Sequence, residues 1–141
     1  MSQFMIQSVD RPMTPDLQAA LICEDVRLEV SGSNSLVGVL NAILAPSFPL
    51  RVIKLCVFTR WCSGQGGFRQ TTRILSAEDE SELSHTETKF ALRDEDIHAT
   101  NVAVFAGLEF KRPGDYPVEI LLDDDLKLRF NLRVLQLERE S

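Results

Sequence analysis

The stretch FKRPGDYPVEILLDDDLKLRFNLRV, from Phe110 to Val134, decides the fold class. Tyr116, Val118, Ile120 and Leu122 recur with period two. After Asp123, Asp124 and Asp125 the alternation resumes, with Leu126, Leu128, Phe130, Leu132 and Val134 set against Lys127, Arg129, Asn131 and Arg133. Successive strand side chains point to opposite faces, so this is a half-buried antiparallel hairpin closed by an acidic turn. Wound as a helix, the same residues would scatter Lys, Arg and Leu around the whole circumference and leave no apolar stripe to bury.

Working back from the hairpin, Val102, Val104, Ala106, Leu108 and Phe110 form another period-two set, preceded by a loop or single helical turn at RDEDIHAT. Thr86, Thr88, Phe90 and Leu92 form the next, and Phe68, Gln70, Thr72 and Ile74 alternate with Arg69, Thr71 and Arg73. In RVIKLCVFTRWC, Ile53, Leu55, Val57 and Trp61 share one face, while Cys56 and Phe58 make the other face partly apolar, as expected mid-sheet. SLVGVLNAILAP also fits helical spacing, but Gly38, the valines and the prolines beyond it favour one strand. Ala19, Leu21 and Cys23 open the first strand, with a bulge expected near Asp25. The two prolines of residues 1–16 mark an N-terminal arm. Short strands separated by Gly, Pro and Ser turns predict a single two-layer antiparallel β-sandwich over residues 17–138, all-β, with about eight strands.

Composition narrows the function classes. No apolar run approaches the roughly 20 residues that cross a bilayer, so no membrane role is expected. The start, MSQFMIQSVDRPMTPD, lacks a basic segment followed by an apolar one, which makes cytoplasmic residence the expectation. A net charge of −6 with dispersed basic residues argues against nucleic acid. Arg51, Lys54 and Arg60 could share a sheet face, yet a solvated face is the simpler reading of them. Three cysteines, Cys23, Cys56 and Cys62, are an odd count without C-x-x-C spacing and read as thiols.

Four segments, LICEDVRLEV (Leu21–Val30), SLVGV (Ser35–Val39), PSFP (Pro46–Pro49) and FKRPGDYPVEILLDD (Phe110–Asp124), together resemble an uncharacterised family of bacterial conserved hypothetical proteins, a domain of unknown function. That resemblance implies a compact β-sandwich without an assigned activity and brings no functional residues. PGDYPV is also similar to the start of a strand in immunoglobulin-like modules, where a corner tyrosine bonds back to the backbone, a role that Tyr116 matches. The chain departs from antibody-type domains in placing Val118 where their second cysteine falls, and Cys62 directly after Trp61.

The candidate chemistry is sparse. Asp123, Asp124 and Asp125, with Asp94 and Asp96 in a second acidic loop, are the candidates for calcium in the manner of C2-like sandwiches, against ordinary turn chemistry. His85 or His98 could act with a cysteine in an enzyme, but no spacing brings them together, and neither a G-x-S-x-G elbow nor a P-loop is present. No catalytic residue and no cofactor is therefore assigned. With two structural aromatics, Trp61 and Tyr116, in place of exposed sugar-stacking ones, the expectation is a non-enzymatic protein-interaction or assembly module. Its candidate surface is Cys56, Phe58 and Phe105, and its partner another protein or a second copy in a homodimer.

Overall fold

The computed structural model describes residues 12–138. They form nine strands: β1 (Asp16–Leu28), β2 (Asn34–Val39), β3 (Ile43–Ala45), β4 (Leu50–Cys62), β5 (Gly66–Leu75), β6 (Glu82–Leu92), β7 (Ala99–Phe110), β8 (Gly114–Leu122) and β9 (Asp125–Gln136). A four-stranded sheet, β2-β1-β4-β7, faces a five-stranded sheet, β3-β9-β8-β5-β6. The expected all-β sandwich is what forms, with no helix among the described residues. Residues 1–11 of the expected arm lie outside the described residues. Met13 is already tied to Gln65 by two backbone hydrogen bonds, of 2.7 and 2.9 Å, and Pro15 is buried.

The Phe110–Val134 hairpin forms, but a bulge shifts the register between Ile120 and Leu121, so Leu126, expected in line with Leu128, pairs with Leu121 and is 52% exposed. Tyr116 pairs with Leu132, Val118 with Phe130 and Ile120 with Leu128. Asp123 and Asp124 are the two turn residues, both at positive φ (47° and 71°), as a two-residue hairpin loop of primed type demands. The Tyr116 hydroxyl donates to the Arg112 carbonyl oxygen at 2.5 Å, which is the tyrosine-corner geometry expected of it.

The sequence reading needs correction in three further places. SLVGVLNAILAP is two strands, since the chain leaves β1 after Val39 and joins the other sheet as β3, parallel to β9. The bulge of β1 falls at Leu17/Ala19, not near Asp25.

The third correction concerns β4 and β7. Their core-facing residues run Leu50, Val52, then Leu55, Val57, Trp61 on β4, and Ala103, Phe105, then Leu108, Phe110 on β7. Both strands change phase between these groups, at Ile53/Lys54 opposite Ala106/Gly107, while the pairing either side stays in register (Val52 with Leu108, Lys54 with Ala106). Gly107 supplies the required backbone at φ +67°, which side chains with a Cβ rarely adopt. Ile53, expected with Leu55 in the core, is therefore 86% exposed, and Val102, Val104 and Ala106 face away from Leu108 and Phe110.

Between the sheets lies an apolar core that includes Trp61, Phe110, Leu55, Ile74, Ile120 and Leu132. It carries one buried polar cluster. The Gln70 side-chain carbonyl accepts from Trp61 Nε1 (2.8 Å), Asn101 Nδ2 (2.9 Å) and Thr59 Oγ1 (2.8 Å), and Gln70 Nε2 donates to Thr72 Oγ1 (2.8 Å). Gln70 and Thr72 lie on β5, and the other three on β4 and β7, so the three bonds to the Gln70 carbonyl span the two sheets.

Candidate interaction face

Residues directly paired across antiparallel strands share a face of the sheet. On the four-stranded sheet, register alone assembles the outer surface in rungs. Val39, Cys23, Cys56 and Val104 form one rung across all four strands. Leu21, Phe58 and Val102 form the next, with Ala19, Arg60 and Thr100 beyond it. On the other side of the cysteine rung lie Val37, Asp25, Lys54 and Ala106. Leu21, Val39 and Val104 stand 42%, 50% and 48% exposed. At about 4.8 Å between strands and roughly 6.6 Å between rungs, the face covers on the order of 400 Å². Its exposed apolar part is smaller, centred on Leu21, Val39 and Val104, since the footprint also takes in Asp25, Lys54 and Arg60 and the buried Cys23, Cys56 and Phe58.

The outer face of the five-stranded sheet is built oppositely. Glu119, buried on β8, takes Arg73 Nε at 2.6 Å and Arg129 Nη1 at 3.2 Å, and Arg129 Nη2 reaches Glu80 at 2.8 Å. Arg133 pairs with Asp115 at 3.4 Å two rungs further along. Such a laced surface is at home in water. Apart from the exposed pair Leu44 and Leu135, this outer face is largely polar and ion-paired, whereas the other is mainly apolar and has no covering layer among the described residues.

The charges on the apolar face are few. Lys54 Nζ donates to Asp25 Oδ1 at 2.6 Å, and Arg27 Nε lies 3.8 Å from the same carboxylate. Arg60 has no carboxylate partner among the described residues, and its buried Nε has no hydrogen bond. The hydrogen bond from Lys54 holds the Asp25 carboxyl below the usual carboxylate range. A carboxyl with a lowered folded-state pKa stabilises above its unfolded value near 3.9, and that contribution is lost as pH falls through the folded value. The melting-temperature gap between the natural chain and Asp25→Asn should therefore be widest near neutral pH and close below about pH 4. A gap of equal size at both ends would contradict this pairing.

Of the residues expected to form an interaction surface, Cys56 and Phe58 do share this outer face, but both are buried, at 1% and 8% exposed. Phe105 does not. It is 3% exposed and part of the core, because the phase change at Gly107 separates Phe105 from the alternation of Leu108 and Phe110. The residues that sequence reasoning missed are Leu21, Val39 and Val104, while Lys54 and Arg60, read there as a solvated face, stand on this outer surface. Their signal was the apolar character of both sides of β4, which needs the register of β1, β2 and β7 to become a surface.

The acidic candidates are occupied by turn chemistry. Asp123 Oδ1 accepts from the Arg69 backbone N–H at 2.8 Å, Asp124 pairs with Arg69 Nη2 at 2.5 Å, and Asp94 Oδ1 accepts from the Asp96 N–H at 2.9 Å. Asp125 begins β9 opposite Leu122. The 93–98 loop lies beyond the Gly66–Leu92 end of the sheet, several residues past the Arg69 level of the β8–β9 turn. His85 Nδ1 meets Glu82 at 2.8 Å, and among the described residues neither histidine bonds a cysteine.

The fold and this face define an all-β sandwich with one polar and one apolar outer surface. The chain belongs to a family of unknown function, DUF6941, whose model matches residues 18–135. Comparison with curated proteins found no match. No helix among the described residues is long and apolar enough to cross a membrane.

Proposed function

We propose that the protein is a non-enzymatic docking module that holds a partner protein against the outer face of its four-stranded sheet. The observation that carries this reading is the contrast between the two outer faces. The two apolar rungs, with no covering layer among the described residues, are costly in water at about 25 cal/mol per Å² of exposed apolar surface, whereas the opposite face pairs Glu119, Arg73, Arg129, Asp115 and Arg133 among themselves. The partner presents an apolar surface flanked by carboxylates. Arg27, Lys54 and Arg60 stand on or beside the face against Asp25 alone, in a chain whose net charge is −6. Two copies apposed through this face would bring like charge together, which disfavours the homodimer. A cytoplasmic setting goes with this reading, since it keeps the three thiols reduced.

Photo-reactive residues placed at Val39, Val104 and, as a control on the opposite face, Glu87 test the proposal in the cells that make the protein. Positions 39 and 104 should cross-link the same heterologous protein. Its purified form should bind less tightly at higher salt, and about tenfold or more less tightly to the Leu21→Asp or Arg60→Glu variant. Cross-links to a second copy would replace the heterologous partner by a homodimer. Cross-linking at 39 and 104 no stronger than at 87 would remove the docking face itself.

A further inference from the structure

The middle rung of the face holds two thiols in direct opposition. Cys23 on β1 and Cys56 on β4 are paired residues, so their side chains leave the sheet on the same side. Opposed residues of an antiparallel pair have Cα atoms about 4.5–5.5 Å apart, inside the roughly 4.4–6.8 Å that disulfides span. Each thiol is held only weakly, Cys23 Sγ donating to the Asp25 carbonyl at 3.4 Å and Cys56 Sγ to that of Glu24 at 3.9 Å. Cys62, six residues along β4, is about 20 Å from Cys56 and takes no part.

We infer that Cys23 and Cys56 are a redox-responsive cross-strand pair, which a small disulfide oxidant converts into a covalent tie between β1 and β4. One cysteine thiolate attacks the oxidant, forming a mixed disulfide and expelling one thiolate. The second cysteine thiolate then attacks the protein sulfur of that mixed disulfide and expels the other. In sum, two cysteine thiols and one small disulfide give one protein disulfide and two small thiols, with the protein oxidised and the oxidant reduced.

Burial pushes the Cys23 thiol up from its ordinary value, with the neighbouring Cys56 adding to it, and burial does the same to Cys56. The pair therefore rests as thiols and reacts slowly near neutral pH. Cys23 and Cys56 are 0% and 1% exposed, and among the described residues no further sheet or helix lies over this face. The inference stands independently of the docking reading, since it concerns chemistry within one chain.

The test uses the full-length Cys62→Ser variant, incubated with oxidised glutathione at mildly alkaline pH. The expected result is loss of both remaining thiols, a monomer on a non-reducing gel, and a peptide joining Cys23 to Cys56 in the mass spectrum. Excess dithiol should restore both thiols. Cys23→Ser or Cys56→Ser, each in the Cys62→Ser background, should stop at a single glutathione adduct. The inference is overturned if both thiols stay free in the folded protein, if each is capped separately, or if the bond forms between molecules.

Discussion

Gln70→Leu is expected to lower the stability of the fold by about 4 kcal/mol. Gln70 is fully buried, and its carbonyl accepts from Trp61 and Asn101, on two strands of the opposite sheet, as well as from Thr59. Thr59 can turn its hydroxyl to the Asn101 backbone oxygen, 3.3 Å away. The Trp61 N–H and Asn101 amide have no such second choice, and a buried donor left unpaired costs about 1–3 kcal/mol. Adding Trp61→Phe and Asn101→Leu to Gln70→Leu should recover part of the loss, because removing both partners of a bond costs less than removing one. Chemical denaturation with an unchanged slope is the measurement. A loss below about 1 kcal/mol for Gln70→Leu alone would mean that the cluster does not hold the sheets together.

Phe110→Ala should cost about 3–5 kcal/mol, a large share of the 5–15 kcal/mol typical of a domain. Phe110 is fully buried at the end of β7 and meets the Tyr116 ring edge-on at a centroid distance of 4.7 Å. Tyr116 in turn holds the Arg112 carbonyl, so one aromatic pair fixes both ends of the short link from β7 to β8. Tyr116→Phe keeps the ring and loses only the hydroxyl, and should cost about 1–2 kcal/mol. Truncating both rings to alanine, with each single Ala variant, should give a coupling of about 0.5–1.5 kcal/mol in denaturation experiments. Strict additivity would show that the rings act separately.

The hairpin was legible because Tyr116 to Leu122 and Leu128 to Val134 keep one phase from end to end. The same rule misled on β4 and β7, where the phase changes. Val102, Val104, Ala106, Leu108 and Phe110 read as one face, yet Gly107 divides them, and Phe105 and Ile53 exchanged core for surface accordingly. Leu36, Leu40 and Ile43 kept an apolar rhythm through a change of sheet, so nothing in their spacing marked the break between β2 and β3. The interaction face was half legible. Cys56 and Phe58 stood out on β4, but Leu21, Val39 and Val104 are brought beside them only by pairing between distant segments, which periodicity does not encode.

The matched phase change in β4 and β7 also bears on how such a chain can vary in length. Each strand carries one residue more than simple alternation would use, and the two extras sit across from one another. Deleting a single residue near Lys54 would restore simple alternation within β4 but leave β7 one residue longer, so the pairing with β7 would slip by one on one side of the cut or push a residue near Gly107 out as a bulge. Deleting one near Gly107 as well would restore the register and leave both strands in simple alternation. Relatives that lack the feature should therefore have lost a residue from both strands together, and a chain shortened in one alone should carry a bulge in the other.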